Sequence, residues 1–216
     1  MTSVIIRCRN RLEYTCQCLN YVRLNTKAEH EIIVIDNNSS DGTKEWFSWM
    51  ARNTSWYSNI KVLHMERNCG DWGGMLVGFN YSKGDYIVQL DNDIIIPPNW
   101  LNLMRYALDK TSYEVIMLKR ENVAWKLQAK NIVTLENNLQ VGSVERPVAC
   151  YMATRATFKT FADGISEKDG ARSKYMIRSL TGQRIGKIIN VKCMEMEADY
   201  QRNKYDPKNP QIWEKI

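Results

Sequence analysis

The sequence lacks the features that mark membrane, secreted and zinc-binding proteins. No apolar run is long enough to cross a bilayer, and the first charge, at Arg7, comes too early for a secretory signal peptide. The six cysteines are scattered and form no Cys-x-x-Cys pair, so we expect neither a disulfide framework nor a zinc site. These absences predict a cytoplasmic protein that folds without covalent cross-links.

Two further absences narrow the ligands that the chain could bind. It has no Gly-x-x-x-x-Gly-Lys loop for phosphate, and its only histidines are His30 and His64. The net charge of +6 is spread along the chain without a dense basic block, so nucleic acid is not an expected partner. Peripheral contact with an anionic membrane surface stays open, and nothing in the sequence fixes the oligomeric state.

The composition is that of a globular protein with one sizeable core. Of 216 residues, 44% are hydrophobic and 25% are charged, which are ordinary values for a folded domain. We expect a single compact domain in which residues 1–110 form a regular first half and residues 111–199 a less regular second half. A polar C-terminal arm is predicted for residues 200–216.

Strand and helix patterns alternate through the first half. Strands are predicted at 3–7, 31–36, 60–65 and 86–90, with amphipathic helices between them and another helix after Pro97-Pro98. This order predicts an α/β fold with a mostly parallel, Rossmann-like sheet and helices on both faces. Polar loops at 7–11, 36–43 and 91–93 follow three of these strands, so they should converge where such sheets bind ligands.

The second half gives weaker signals. A strand is predicted at 113–118, two or three short strands are predicted within 131–154, and a last strand is predicted at 185–191. A helix is expected at 171–180, ending near Gly182.

Asp91 and Asp93 stand at the end of the fourth predicted strand, separated by one residue. In an extended segment residues i and i+2 project to the same side, so the two carboxylates would repel each other unless a cation lay between them. Mg²⁺ and Mn²⁺ take oxygen ligands of this kind together with substrate phosphates. The motif therefore favours a divalent-cation site.

Four segments in register resemble the large family 2 of inverting glycosyltransferases. They are residues 3–11, residues 31–43, residues 68–70 and residues 84–93. The resemblance covers residues 3–110 and fades after residue 120. It implies the nucleotide-sugar-binding GT-A fold, with Mn²⁺ or Mg²⁺ as cofactor.

The resemblance also implies roles for individual residues. Asp36 would accept a hydrogen bond from the ring N–H of a uracil or thymine base, and Asp93, with Asp91, would bind the metal that bridges the diphosphate. The implied donor-nucleotide site comprises Arg7, Arg9, Asn10, Asp36, Asn38, Asp41, Asn68, Gly70, Asp71, Asp91 and Asn92.

Two implied roles are less well defined. The general base of the family is a carboxylate at the start of a helix, which matches Asp169 here, with Glu167 as the alternative. Many members supply a further metal ligand as a late histidine, which this chain lacks, so Glu195, Glu197 or water would take that place. Trp72 could stack on a ring or pack in the core.

The function implied by the resemblance is transfer of a sugar from a nucleotide-diphosphate donor to an acceptor hydroxyl, with inversion. UDP- and dTDP-sugars are the favoured donors, while glycan, lipid-linked and protein acceptors stay open. One alternative is a catalytically silent nucleotide-sugar-binding protein. A sugar-phosphate nucleotidyltransferase is a weaker alternative, because the loop after the first strand contains no glycine.

Overall fold

One mixed sheet runs through the molecule, and ten of its strands lie within the residues that the structure, a computed structural model, describes: 1–53, 55, 60–121, 128–145, 149–163 and 184–196. In chain order the elements are β1 (Thr2–Cys8), α1 (Leu12–Asn25), β2 (His30–Asp36), α2 (Thr43–Asn53), β3 (Ile60–His64), α3 (Gly70–Tyr81), β4 (Tyr86–Asp91), β5 (Ile94–Ile95), α4 (Trp100–Lys110), β6 (Val115–Glu121), β7 (Lys130–Thr134), β8 (Gln140–Val144), β9 (Cys150–Thr154), α5 (Arg155–Asp163) and β10 (Ile185–Glu195).

The sheet has a parallel half and a mixed half. Its strand order is β3-β2-β1-β4-β9-β6-β10-β8-β7, with β5 paired to β10. The pairs among β1, β2, β3 and β4 are all parallel, as predicted. Beyond β4, the β6–β10 pair is the only parallel one among the described strands, and β9 lies antiparallel between β4 and β6. The predicted α/β class is thus confirmed, with parallel pairing concentrated in the first half.

Helices cover both faces of the sheet and divide the core in two. Side chains of α1, α2 and α4 pack on one face, around Leu19, Phe47 and Trp100. Those of α3 and α5 pack on the other face, around Trp72 and Phe158. Because β1, β2 and β4 are covered on both faces, their sequences are nearly continuous runs of apolar residues.

Several elements differ from the sequence expectation. Helix α3 begins three residues earlier than the predicted Gly73, because side chains of Asn37 and Asn68 accept the N–H groups of Cys69 and Gly70. Helix α5 was not predicted, and β10 continues four residues past the predicted Val191. The helix expected at 171–180 and the arm at 200–216 lie outside the described residues.

Trp72 belongs to the core and not to an exposed stacking surface. Its side chain is fully buried and lies parallel to the ring of Phe158, with 6.4 Å between the ring centroids. Among the described helices, none combines the length and apolar character that a membrane crossing requires.

Candidate functional site

The polar loops predicted to converge do meet at one edge of the sheet. Strand β1 lies between β2 and β4, with Cys8 opposite Asp36 and Arg7 opposite Asp91. All three strands are parallel, so their carboxyl ends share an edge, and the last residues of β2 and β4 are about 10 Å apart across β1. The acidic ends of the second and fourth strands therefore lie in the same region.

Asp91 is held by two donors on one oxygen. It is the last residue of β4, and its Oδ1 accepts hydrogen bonds from Arg7 Nη2 at 3.0 Å and Gln89 Nε2 at 2.6 Å. Gln89 is buried, and the Arg7 side chain is only 13% exposed. These two enclosed side chains therefore fix the orientation of the Asp91 carboxylate.

Asp93 does not follow Asp91 along an extended strand. Asn92 and Asp93 form a turn between β4 and β5, so the prediction that the two carboxylates project side by side from one strand is wrong. Asp93 instead reaches the β1–α1 loop, where Arg11 Nη1 lies 3.4 Å from its Oδ2. Its backbone oxygen accepts the N–H of Met196, just after β10, at 2.8 Å.

Asn92 anchors this turn to helix α1. Its side chain is buried, and Nδ2 donates to Thr15 Oγ1 at 2.9 Å. Beneath it, the buried Cys18 thiol donates to the Asp91 backbone oxygen at 3.6 Å, and burial raises the pKa of that thiol. The structure thus gives Asn92 a supporting contact, while its contact with a nucleotide stays a prediction.

The β1–α1 loop is tied to the β2–α2 loop. Asn10 N–H donates to Ser39 Oγ at 2.7 Å, and Ser40 N–H donates to Asn10 Oδ1 at 2.8 Å. Asn10 and Arg11 have φ values of 57° and 61°, a left-handed conformation that costs non-glycine residues about 1 kcal/mol each. These hydrogen bonds hold that conformation, while the Arg9 side chain is exposed nearby.

Asp41 links the starts of two helices. Its Oδ2 accepts the N–H of Leu12, the first residue of α1, at 3.0 Å. Its Oδ1 accepts the N–H and hydroxyl of Thr43, the first residue of α2, at 3.3 and 2.5 Å. A carboxylate is favoured at both positions because helix N-termini present unpaired N–H groups and positive partial charge.

Asp36 is an enclosed carboxylate with two internal contacts. It is 2% exposed; its Oδ1 accepts the N–H of Ser39 at 3.0 Å, and its Oδ2 lies 2.8 Å from His64 Nδ1. His64 ends β3 directly opposite Asp36 in the β2–β3 ladder. The predicted hydrogen bond, which the ring N–H of a base would donate to Asp36, would have to use the remaining acceptor capacity of these oxygens.

Asn37 supports the candidate site and was not singled out in the sequence. Its side-chain Nδ2 donates to Asn68 Oδ1 at 2.8 Å and to the backbone oxygen of Gly70 at 3.1 Å. The side chain thereby fixes the turn before α3, which brings Asn68 and Gly70 to the carboxyl end of β2. Asp71 lies in the first turn of α3, and the exposed Asn38 has a φ of 64°.

Three other supporting contacts were also not predicted from the sequence. Gln89 contacts Asp91, two residues further along the chain. His64 contacts Asp36 across 28 residues, and Arg11 contacts Asp93 across 82 residues. The alternation of β4 could have marked Gln89, since it is the one polar side chain between apolar neighbours before Asp91. No pattern in the sequence signals the other two.

The chemistry of Asp93 fits a hard divalent cation that completes its shell with phosphate and water. Its side chain is 10% exposed, and its carboxylate lies at the strand edge where a ligand would bind. Within the described ranges, no three His, Cys, Asp or Glu side chains cluster as a ready-made metal cage. Glu195 pairs with Arg120 at 3.0 Å. Glu197, Glu167 and Asp169 lie outside the described residues.

Two solved structures illustrate the similarity of this chain to known folds. GalNAc-T7 with UDP, GalNAc and Mn²⁺ superposes with a TM-score of 0.72 at 14% identity, covering 90% of this chain and 43% of that one. S. aureus TarS 1–349 in complex with UDP-GlcNAc gives a TM-score of 0.65 at 22% identity, covering 95% of this chain and 61% of that one. These similarities confirm the GT-A fold.

Curated relatives are longer than this chain. Glycosyltransferase AglE of Haloferax volcanii is 36% identical over 117 residues, which are 53% of this chain and 37% of that protein. An undecaprenyl-phosphate 4-deoxy-4-formamido-L-arabinose transferase of Pseudomonas savastanoi pv. phaseolicola is 26% identical over 158 residues, 72% of this chain and 43% of the relative. The chain thus spans about two fifths of the length of each.

The sequence profile of glycosyl transferase family 2 matches residues 3–166. This span takes in β1 to α5, and therefore every loop that builds the edge described above. The chain belongs to glycosyl transferase family 2.

Proposed function

We propose that the chain transfers a sugar from a nucleotide-diphosphate donor to an acceptor hydroxyl, with inversion and with the help of Mn²⁺ or Mg²⁺. UDP- and dTDP-sugars are the favoured donors. In support, family 2 membership is shown, and structures of the same fold have been solved with UDP and Mn²⁺ or with UDP-GlcNAc.

The observation that carries the proposal is the shared edge at the ends of β1, β2 and β4. It brings together the acidic turn Asp91–Asp93 and the polar loops after β1 and β2. Carboxylates for a cation and arginines for phosphate are the groups that a cation-bound diphosphate requires. A fold that needed this edge only for stability would have little reason to concentrate there the charged side chains of Arg7, Arg9, Arg11, Asp36, Asp41, Asp91 and Asp93.

Each group at this edge has a role in the proposed site. Asp93, together with Asp91 at the end of β4, would hold the cation, which when bound would neutralise charge on the departing diphosphate. Arg7, Arg9, Asn10, Asp36, Asn38, Asp41, Asn68, Gly70, Asp71 and Asn92 would line or support the nucleotide. Asp36 and Asp41 would act largely by ordering the loops that surround the base, since both accept internal hydrogen bonds.

The proposed reaction is one direct displacement. The acceptor oxygen forms a bond to the anomeric carbon as the bond from that carbon to the diphosphate oxygen breaks, and the electron pair leaves with the nucleoside diphosphate. Asp169, or Glu167, takes the acceptor proton as general base. Attack from the face opposite the leaving group inverts the anomeric configuration.

The proposal also covers the class of acceptor and the location of the protein. The arabinose transferases among the relatives act with undecaprenyl phosphate, as their names state, so a lipid-linked acceptor is one class to test beside glycans and proteins. A cytoplasmic location and peripheral contact with a membrane surface would suit that class.

A donor screen tests the proposal directly. UDP-, dTDP- and GDP-sugars are added with and without Mn²⁺, and thermal stability and release of nucleoside diphosphate are measured. A ligand that binds only the folded state raises the apparent melting temperature, so we expect one nucleotide class to do so in a cation-dependent manner. Asp93→Asn should remove that shift and lower turnover at least about a hundredfold.

Asp109→Asn is the matched control. Asp109 lies in α4 and accepts a hydrogen bond from Tyr86 at the start of β4, so it sits at the opposite edge of the sheet. Its variant should behave as wild type. Stabilisation by a nucleotide sugar without turnover, for every donor and acceptor tried, would favour a catalytically silent nucleotide-sugar-binding protein. If no nucleotide stabilised the protein, both the transferase and the silent binding protein would be excluded.

A further inference from the structure

Asp91 and Asp93 each face an arginine from one short stretch of chain, but the two ion pairs differ. Arg7 contacts Asp91 at 3.0 Å with 13% of its side chain exposed, and Gln89 binds the same oxygen. Arg11 contacts Asp93 at 3.4 Å with 30% of its side chain exposed. Charge-assisted hydrogen bonds are usually 2.7–2.9 Å long, so the Arg11 contact is loose.

We propose that Arg11 is an exchangeable counter-ion of Asp93: its guanidinium competes with the divalent cation for this carboxylate and pairs with the donor diphosphate once the carboxylate is occupied. This inference rests on the proposed function. It makes Arg11 a residue that sets how strongly the chain binds a cation before the nucleotide arrives.

Burial explains why Asp93 needs a counter-ion. Its side chain is 10% exposed, and an ionised carboxylate that is largely withdrawn from water is costly without a positive neighbour. Arg11 supplies that charge. Of the two side chains it is the more exposed, so it is the one able to move when another cation takes its place.

Arg11 also has a second contact near the first. Its Cζ lies 5.7 Å from the centroid of the Tyr14 ring, one turn into α1, which is within the range of a cation–π interaction. The guanidinium can therefore leave the carboxylate without losing all local stabilisation. Arg7 has no such latitude, because it is enclosed and its acceptor oxygen is shared with Gln89.

The backbone at Arg11 supports the same interpretation. Arg11 has a left-handed φ of 61°, which a side chain of this size adopts at a cost, and this conformation brings its side chain to Asp93. The flanking N–H groups of Asn10 and Leu12 are held by Ser39 and Asp41. The loop is thus fixed on both sides of the residue whose side chain is proposed to exchange.

Mn²⁺ alone is the probe that tests this competition. Binding to the purified chain is measured by electron paramagnetic resonance of free Mn²⁺, without nucleotide, for wild type, Arg11→Gln and Arg11→Lys. Loss of a partly exposed ion pair should tighten Mn²⁺ binding in Arg11→Gln by up to about fivefold. Arg11→Lys keeps the charge and should stay near wild type.

UDP binding then tests the second half of the proposal. In buffer saturated with Mn²⁺, calorimetry should show weaker UDP binding for Arg11→Gln, by about threefold to tenfold. Arg52→Gln, an equal loss of charge at the far end of α2, should change neither quantity. Asp93→Asn should abolish the Mn²⁺ signal that Arg11→Gln strengthens.

The outcomes separate this inference from the proposed function. If wild type binds UDP with Mn²⁺ but Arg11→Gln leaves Mn²⁺ affinity unchanged or weaker, the inference fails and the proposed function stands. If Mn²⁺ binding survives Asp93→Asn, or neither wild type nor Arg11→Gln binds Mn²⁺, the inference is also overturned. If wild type binds no nucleotide under any condition, the proposed function fails independently.

Discussion

The carboxylate of Asp41 accepts the backbone N–H of Leu12 at 3.0 Å, 29 residues back along the chain. Through its other oxygen, Asp41 also accepts both the N–H and the hydroxyl of Thr43. One exposed side chain therefore caps two helices that start at the same edge of the sheet. The family resemblance places Asp41 in a nucleotide pocket, whereas its observed hydrogen bonds connect the β1–α1 loop to the β2–α2 loop.

Replacing Asp41 should destabilise the protein. Asp41→Ala removes acceptors at two helix starts, and the loss of a single such cap typically costs about 1 kcal/mol, so we expect about 1–2 kcal/mol in urea unfolding. Glu45→Ala, which removes a negative charge from the first turn of α2, serves as the control and should cost a few tenths. An unchanged unfolding midpoint for Asp41→Ala would show that the caps contribute nothing.

Two glycines of helix α3 should respond oppositely to alanine. In a helix, Gly→Ala is normally stabilising by about 1 kcal/mol. A Cβ on Gly78 would enter the van der Waals radius of the Ile5 Cγ2 methyl, whereas one on Gly74 would lie 3.4 Å from Ile35 Cγ2. We therefore expect Gly78→Ala to lower the unfolding free energy by about 1–3 kcal/mol through overpacking.

Gly74→Ala is the matched variant, because it changes the same residue type one turn earlier in the same helix. It should leave stability unchanged or raise it by up to about 1 kcal/mol. Equal effects of the two substitutions in denaturant titrations would contradict the close approach of α3 to β1.

The six free cysteines should differ widely in alkylation rate. Burial raises the pKa of the Cys16 and Cys193 thiols to about 12, so at pH 8 only about one molecule in ten thousand carries either thiolate, the reactive form. Cys69 lies half-buried in the turn before α3. Iodoacetamide at pH 8 should therefore modify Cys69 first, as measured by peptide mass spectrometry.

Nucleotide should protect Cys69, because its neighbours Asn68 and Gly70 belong to the proposed donor site. UDP with Mn²⁺ should slow the labelling of Cys69, and urea should make all six cysteines reactive. Native labelling of the buried Cys150 or Cys193 as fast as Cys69 would contradict their burial beneath the sheet edge.

The parallel half of the fold was predictable because three of its strands, β1, β2 and β4, are buried on both faces. Short runs rich in β-branched residues, such as Val4–Ile6 and Ile32–Ile35, favour strands covered on both faces, and the loops after them follow from the strand direction. The insertion of β9 between β4 and β6 was not predictable, because short apolar runs such as Cys150–Thr154 carry no sign of which strand they join. Residue composition does not encode pairing partners.

The candidate site shows the same division. Asp91 and Asp93 were identifiable as acidic residues at a strand end, but their separate contacts with Arg7 and Arg11 depend on a turn at Asn92 that breaks strand alternation. Asn37 escaped notice because an amide beside Asp36 resembles an ordinary turn former. Asn37 supports the site by binding Asn68, and only tertiary folding brings that residue close to it.

The position of β10 has a consequence for the order in which the protein assembles. This strand lies between β6 and β8, pairs with β5, and is followed by the Met196 N–H that binds the Asp93 backbone oxygen. Strands β1 to β4 can pair while a ribosome is still making the second half, but the acidic turn gains its last backbone contact only after about a hundred more residues have been added. Such long-range closure is slow, so a nascent chain would pair strands β1 to β4 well before the acidic turn gains its contact with Met196.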